Sequence, residues 1–131
     1  MADSLAVAET FFAALSRLDA DAALACCAPG CTFIRADVGA VQQMSEQLGQ
    51  LLQGVQAVGG QMKYVDARRV LTSDGFLEEH NVEVTLFGKT ATVAAAIVAE
   101  VGDDGLITTM REYLNPAPLD VLVAPDPAAG S

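Results

Sequence analysis

Apolar residues recur every third or fourth position along the first half of the chain and every second position along much of the second half. The first spacing is typical of helices that bury one face, and the second is typical of strands. The pattern predicts three helices, at residues 4–18, 20–28 and 40–58, with a short strand at residues 31–36. We expect Pro29-Gly30 to end the second helix, because proline cannot continue a helix and glycine commonly terminates one.

Four longer strands are predicted after the third helix, at residues 61–72, 75–87, 90–101 and 106–115. Short turn-forming segments separate them, which is typical of hairpins and therefore of an antiparallel meander. The helices are predicted mainly in the first half of the chain and the long strands in the second half. This order indicates an α+β domain in which three N-terminal helices pack on a mostly antiparallel sheet. Because long antiparallel strands twist and curl, we expect a strongly curved sheet and a cone-shaped roll, whose apolar interior suits a small molecule.

The chain of 131 residues has the length of one domain. We expect that domain to cover residues 1–118, and the tail at residues 119–131 to be partly disordered, above all beyond Ala124. The strand at residues 90–101 is apolar on both faces, so one face can line the interior while the other packs against another protein. This pattern predicts a homodimer through the outer face of the sheet.

The acidic balance of the chain argues against two kinds of partner. With 17 acidic and 7 basic side chains, the net charge is -10, which repels nucleic acid and anionic membrane surfaces. The longest apolar run, residues 93–99, is far shorter than the about 20 residues that span a bilayer. Residues 1–4 lack the basic region of a signal peptide, so we expect a cytoplasmic location. The basic pair Arg68-Arg69 is interpreted as solvated strand surface.

The last predicted strand carries the most informative side chain. Alternation places Glu112 on one face with Met110 and Leu114, so a carboxylate lies among apolar neighbours. A buried carboxylate must be paired, hydrogen-bonded or shifted in pKa, and such a group on a pocket wall is a candidate for function. The alternative is a structural salt bridge to an arginine.

Two other polar side chains are expected to face the same interior. His80 shares its face with Val82, and the ordinary pKa of histidine, about 6.5, suits proton transfer at neutral pH. Arg35, on the first predicted strand, could bind a substrate carboxylate or pair with Glu112 or Glu78. The structural alternatives are a core histidine bonded to its neighbours and a simple ion pair.

No metal-ligand or phosphate-binding motif is found in the sequence. Cys26, Cys27 and Cys31 lack the second thiol pair or nearby histidine that would complete a metal-binding spacing, and are interpreted as small buried residues. Cys31 as a nucleophile, with His80 as its base, is a minor alternative. Alternation divides the acidic residues at 78, 79 and 83 between two faces, and Gly-rich phosphate loops are absent. We therefore expect no metal and no cofactor.

Several segments of the chain resemble one known superfamily. They are Glu9-Thr10-Phe11-Phe12-Ala13-Ala14-Leu15, Asp19-Ala20-Asp21, Asp104-Gly105-Leu106-Ile107 and Met110-Arg111-Glu112-Tyr113-Leu114-Asn115. With the order of elements, they resemble the nuclear transport factor 2-like superfamily over residues 4–118, and its SnoaL-like branch most closely. That superfamily includes ketosteroid isomerases, limonene epoxide hydrolases, polyketide cyclases and binding proteins, so the resemblance implies the cone-shaped fold better than a reaction.

The resemblance bears differently on each type of enzyme. Epoxide hydrolases would have a carboxylate at Glu112, but their arginine and second aspartate would fall near Glu79 and Asn81, so that device is incomplete. Polyketide cyclases use an acidic residue and a histidine inside the cone, for which Glu112 and His80 are counterparts. The ketosteroid isomerase pattern fails, because the positions of its tyrosine and two carboxylic acids carry other residues: Phe11, Arg35 and Val98.

We therefore expect a SnoaL-like pocket protein that binds a small, largely apolar molecule. If it is an enzyme, we expect it to catalyse an acid–base reaction without a cofactor. Glu112 would then act as the base, and His80 or Arg35 would stabilise an oxyanion. The alternative is a non-catalytic ligand-binding or dimeric interaction module of the same fold. The residues expected to line the pocket are Phe11, Phe12, Phe33, Val82, Val98, Met110 and Leu114.

Overall fold

The computed structural model describes residues 3–123, which form six strands and four α-helices. In chain order the elements are α1 (Ser4–Ser16), α2 (Ala20–Leu24), β1 (Cys27–Arg35), β2 (Ala40–Gln43), α3 (Met44–Ala57), β3 (Gln61–Leu71), β4 (Gly75–Leu86), β5 (Lys89–Val101), β6 (Ile107–Leu114), a 3-10 turn (Ala117–Leu119) and α4 (Asp120–Val123). Each of the four long strands begins and ends within one residue of its predicted bounds.

Aspartate side chains begin the first two helices. Asp3 Oδ1 accepts a hydrogen bond from the backbone N–H of Ala6 at 3.1 Å, and Asp19 Oδ1 accepts one from Ala22 at 3.0 Å. These contacts satisfy backbone donors that have no partner within the helix. The second helix ends at Leu24, earlier than the sequence pattern predicts.

The first two strands differ most from the prediction. β1 begins at Cys27, and Pro29 and Gly30 lie within it rather than ending α2. The strand tolerates both residues because its pairing with β6 is interrupted between Cys27 and Thr32, where proline and glycine are exposed. β2 is missing from the predicted elements because it is only four residues long and has no buried side chain to mark it.

The six strands form one sheet in the order β2-β1-β6-β5-β4-β3. All neighbours are antiparallel except β1 and β6, which are parallel. The sheet is curved but not closed, and the three N-terminal helices pack against it on the face that we call the inner face. The predicted α+β class and the mostly antiparallel curved sheet are thus confirmed.

The hydrophobic core lies between the inner face and the helices. Alternation along β5 and β6 places Ile97 and Met110 in this core, while Val98 and Tyr113 lie on the opposite, outer face. The helices complete the core with apolar stripes that recur every three or four residues. The largest fully buried side chains are Phe11, Phe76, Met44, Leu48, Leu52, Ile97, Ile107, Met110 and, unusually for a charged residue, Glu78.

A bulge in β3 decides which of its side chains face inward. Between Val65 and Arg68, β3 contains one residue more than the facing segment of β4. Asp66 lies in this bulge with φ 57°, a left-handed conformation that aspartate tolerates, and its Oδ2 accepts a hydrogen bond from Asn81 Nδ2 at 3.2 Å. The bulge shifts the alternation, so that Arg69 reaches the inner face while Arg68 stays exposed. The expectation that both arginines are solvated is therefore wrong for Arg69.

The C-terminal part of the described chain packs against β5. The 3-10 turn and α4 both contact that strand, and Leu122 is buried. The disorder predicted beyond Ala124 concerns residues outside the described part, and the domain boundary at residue 118 stays a prediction. Within residues 3–123, none of the helices combines the length and apolar character that a membrane span requires.

Candidate active site

A buried ionic network crosses the inner face from β3 to β4. The Glu78 side chain has no exposed surface, and it binds a cationic or donor group at each carboxylate oxygen. Arg69 Nε donates to Glu78 Oε1, and His80 Nδ1 lies 2.5 Å from Glu78 Oε2. Because an isolated buried carboxylate is costly, this double pairing is what allows Glu78 to remain in the core.

The contact with Glu78 fixes which nitrogen of His80 carries a proton. A carboxylate accepts hydrogen bonds, so Nδ1 is the donor, and in the neutral ring Nε2 keeps its lone pair. Among the buried side-chain nitrogens and oxygens of residues 3–123, His80 Nε2 is the atom without a hydrogen-bond partner. A buried polar atom without a partner costs free energy, and sites that bind or react are a common reason for retaining one.

Two aromatic rings hold the His80 ring in place. The ring of Phe12 lies 5.0 Å from the imidazole and that of Tyr64 lies 4.9 Å away, both centroid to centroid and edge-on. Burial raises the pKa of Tyr64 well above its usual range, and the charges of Glu112 and Glu78 raise it further. The Tyr64 hydroxyl therefore stays protonated and can donate a hydrogen bond inside the site.

Glu112 lies on the same inner face but is weakly compensated. Its Oε1 is 3.9 Å from Arg35 Nε, while that guanidinium donates to both oxygens of Asp37, at 2.9 and 2.7 Å. Burial raises the pKa of Glu112, and the opposing attractions of Arg35 and His80 do not cancel that effect. Glu112 is thus a carboxyl group that holds its proton more tightly than an exposed glutamate does.

The three side chains expected to carry chemistry are therefore gathered on one face. Glu112 pairs in register with Arg35 on β1 and with Ile97 on β5. His80 lies on β4, and its attraction to the Glu112 carboxylate lowers the pKa of that group. Together with Tyr64, they offer one nitrogen that can accept a proton and two groups that can donate one.

The residues expected to line a pocket are mostly on this face as well. Phe11, Phe12, Phe33 and Met110 are buried in one cluster, and Val82 and Leu114 share the inner face with them. Val98 lies on the outer face, where it pairs with Arg111 and Leu77. An open cleft of about 170 Å³ between α1 and β3 borders the network. It is lined by Glu9, Phe12, Ala13, Ser16, Tyr64, Ala67 and Arg69.

Three members of the site are missing from the sequence-based candidates. Glu78 and His80 are two apart on one strand, so alternation alone could have paired them. Arg69 could not have been assigned, because the bulge that turns it inward has no clear signature in the sequence. Tyr64 could not have been assigned either, because its place in the site depends on the packing of α1 against β3, which brings Phe12 against the Tyr64 ring.

The described chain offers no obvious metal centre. Within residues 3–123, no three His, Cys, Asp or Glu side chains converge as ligands of a metal ion would. Both oxygens of Glu78 are instead engaged, one by Arg69 and the other by His80 Nδ1. The expectations of no metal and no cofactor stay predictions.

Comparison with known proteins identifies the fold. No family model matches the chain, and neither does any curated protein. An NTF2-like protein of unknown function from Burkholderia pseudomallei K96243 matches with a TM-score of 0.78 at 16% identity, over 95% of this chain and 100% of that one. A putative polyketide cyclase from Xanthomonas campestris pv. campestris matches with a TM-score of 0.76 at 19% identity, over 92% of this chain and 96% of that one.

A third solved structure, an LEH-like epoxide hydrolase from M. tuberculosis, matches with a TM-score of 0.71 at 20% identity, over 92% of this chain and 89% of that one. At such low identities, these likenesses establish the fold and leave the reaction open. The chain has the NTF2-like fold that these solved structures share. The resemblance recognised in the sequence is confirmed at this level.

The assignment of Arg69 to the interior can be tested against its neighbour. Arg69→Met leaves the buried Glu78 carboxylate with one partner, whereas Arg68→Met removes an exposed side chain opposite exposed Glu79. We expect R69M to lower the free energy of unfolding by about 2–4 kcal/mol and R68M by less than about 1 kcal/mol. Urea unfolding followed by circular dichroism measures both, and equal losses would contradict the assignment.

The raised pKa of Glu112 predicts an unusual dependence of stability on pH. The folded protein keeps a proton that the unfolded chain releases, so this group's contribution is complete below the ordinary glutamate pKa of about 4.3 and declines as pH rises through the folded-state pKa. Glu112→Gln cannot ionise, so we expect it to be more stable than the parent protein at pH 7 and equally stable at pH 4 and below.

Urea unfolding at a series of pH values measures that difference. Glu100→Gln is the matched control, because the Glu100 side chain is exposed and lies outside both the inner face and the outer groove, so it should not reproduce this pH-dependent gain in stability. An E112Q protein that is less stable than the parent at pH 7 would show that Glu112 is a structural ion-pair partner instead.

Proposed function

We propose that the inner face around His80 and Glu112 is the active site of a cofactor-independent acid–base enzyme that acts on a small, largely apolar molecule. The observation that carries the proposal is the divided role of His80. Its Nδ1 is held by Glu78, while its Nε2 is buried and has no hydrogen-bond partner among residues 3–123. A histidine oriented in this way by a carboxylate is the usual form of a general base in enzymes.

In the proposed mechanism, His80 Nε2 takes a proton from the substrate or from a water molecule. The Glu78 carboxylate stabilises the imidazolium that forms, and Arg69 keeps Glu78 in position. Glu112 then supplies a proton to the oxygen on which negative charge develops, since its raised pKa keeps it protonated to higher pH. The sequence suggested Glu112 as base, and the contacts of the two groups favour exchanging those roles.

Two more groups can stabilise developing charge on oxygen. The Tyr64 hydroxyl stays protonated because its pKa is raised, so it can donate a hydrogen bond to an oxyanion. Arg35 is fixed by Asp37 beside Glu112 and can attract a carboxylate or oxyanion of the substrate. A ring closure through a carbon acid and the opening of an epoxide both need one base and one acid, so this set suits either reaction.

The surroundings of the polar groups limit the substrate. Phe12 and Tyr64 cover His80, and Phe33 and Met110 pack in the same interior, so most of a bound molecule would meet apolar surface. The cleft of about 170 Å³ beside Phe12 and Tyr64 is small. We place the path of a substrate to Nε2 through this cleft, past the rings of Phe12 and Tyr64.

A second candidate is a binding module that catalyses nothing. It is favoured by the pairing already present, because Arg69 and His80 satisfy Glu78, and Asp37 satisfies Arg35. In that case the network serves stability, and the interior binds a small apolar molecule without changing it.

We also propose that the protein forms a homodimer through the outer face. An open groove of about 420 Å³ on that face is lined in part by the small side chains of Ala94 and Ala96 and by half-exposed Tyr113. Asp66 and Glu79 line the same groove. Arg111 lies on that face too, so a second copy could set its arginine against these carboxylates across a two-fold axis.

Turnover by single-site variants tests the enzyme proposal. We expect the purified protein to open a small apolar epoxide, or to exchange the acidic C–H of a 1,3-dicarbonyl compound for deuterium, within a panel of both classes. His80→Gln keeps a donor for Glu78 but removes the base, and Glu112→Gln removes the acid, so each should lower the rate at least about 100-fold. Nuclear magnetic resonance of the substrates measures both reactions.

The control for this experiment is Arg68→Met, which lies outside the site and should retain full activity. Saturable binding of panel compounds without any turnover would reject the enzyme and favour the binding module. Absence of both binding and turnover across the panel would reject the small-molecule site as proposed.

The dimer is tested by placing a long charged side chain in the outer groove. Ala94→Arg should convert the dimer into a folded monomer, whereas Ala57→Arg, on the exposed surface of α3, should leave it dimeric. Sedimentation equilibrium measures the mass of each variant. A monomeric parent protein would contradict the proposal directly.

A further inference from the structure

The N-terminal part of β1 contains a wide bulge between two cysteines. Cys27 pairs with Ile107 and Thr32 pairs with Thr109, so five steps along β1 face two steps along β6. Three residues of β1 are therefore in excess, and the segment between the cysteines bulges out of the pairing with β6. Gly30, with φ 78°, supplies the left-handed conformation that lets the chain turn there.

This bulge shortens the course of the chain between Cys27 and Cys31. Two steps along a strand cover about 6.6 Å, so Cys27 and Thr32 lie about that far apart although five residue steps separate them, and Cys31 is the neighbour of Thr32. A disulfide requires a separation of about 4.4–6.8 Å between its two Cα atoms, which a fully extended strand would not allow for two cysteines four residues apart. The two thiols also influence each other, because each shifts the pKa of its neighbour. Their nearest backbone partners are carbonyl oxygens, that of Ala23 at 3.7 Å from Cys27 Sγ and that of Thr32 at 3.9 Å from Cys31 Sγ.

Both thiols line one surface pocket. This pocket, of about 320 Å³, lies between the end of α2, the bulge of β1 and the start of α3. Cys27 is partly exposed and Cys31 is reached through the pocket, which is large enough to admit a small oxidant. Cys26 is not among the lining residues, and its Sγ lies 3.6 Å from the Ala22 carbonyl oxygen inside the protein.

The pKa values of the three thiols also distinguish Cys31 from the other two. The neighbouring Cys27 thiol lowers the pKa of Cys31, while Cys27 holds its own proton more tightly, with a raised pKa. Burial raises the pKa of Cys26. Because the thiolate is the reactive form of cysteine, Cys31 is the group prepared to attack and Cys27 is its neighbouring thiol.

We propose that Cys27 and Cys31 are a reversible oxidation site that closes into a disulfide when the protein meets a small hydroperoxide. The Cys31 thiolate attacks the terminal oxygen of the peroxide, the O–O bond breaks, and water or an alcohol leaves after protonation. The resulting sulfenic acid is attacked by the sulfur of Cys27, an S–S bond forms, and a second water leaves. The two thiols are oxidised by two electrons, and the peroxide is reduced by the same two.

Oxidation of the intact protein by hydrogen peroxide tests this site. We expect the count of free thiols to fall from three to one, the intact mass to fall by two hydrogen atoms, and dithiothreitol to reverse both changes. Maleimide labelling gives the count and mass spectrometry gives the mass. The measurement requires no substrate, so its result is independent of the function proposed above.

Serine variants identify the pair that reacts. Cys26→Ser should still lose two hydrogens and go from two free thiols to none, because it keeps both members of the site. Cys27→Ser and Cys31→Ser should instead gain oxygen or link two chains, because neither retains the pair. Circular dichroism confirms that each variant is folded before treatment.

Two results would overturn the proposal. One is a Cys26→Ser protein that keeps both thiols, or gains oxygen on them, at peroxide concentrations that already oxidise its methionines. The other is a Cys31→Ser protein that still loses two hydrogens within one chain, since that would place the disulfide between Cys26 and Cys27.

Discussion

The interior of this protein is organised by the complete burial of one carboxylate. Glu78 has no exposed surface, and a charge removed from water to that extent must be paired and hydrogen-bonded if the fold is to tolerate it. Arg69 and His80 provide that pairing, one at each oxygen. The orientation of the His80 ring, the proton on its Nδ1 and the unpartnered state of its Nε2 all follow from this requirement.

The pairing depends on features that are distant in the sequence. The bulge around Asp66 must add one residue to β3 before Arg69 can lie opposite Glu78, and Asn81 on β4 holds that bulge through a hydrogen bond. The first helix must also dock on β3, so that Phe12 packs edge-on against the imidazole ring. The site is thus a product of the tertiary structure, and no short segment of the chain contains it.

These dependencies explain which parts were predictable. The long strands and the inward direction of His80 and Glu112 follow from strict alternation, which is a local property of a strand. Arg69 was misassigned because a bulge interrupts that alternation. The face of the sheet on which Val98 lies could not be predicted, because β5 has apolar side chains on both faces. Its inward and outward positions therefore do not differ in polarity.

The two carboxyl groups of the inner face are treated differently by their surroundings. Glu78 has a donor at each oxygen, so a reaction there would dismantle the pairing that the core requires. Glu112 faces a guanidinium that Asp37 already binds with two short hydrogen bonds, so burial prevails and its pKa rises. His80 interacts with both groups, bound to the first and attracted to the second. A histidine in that position connects a rigid ion pair to a carboxyl group that can still exchange its proton. In the enzyme that we propose, this connection would let one interior both stabilise the fold and act on a substrate.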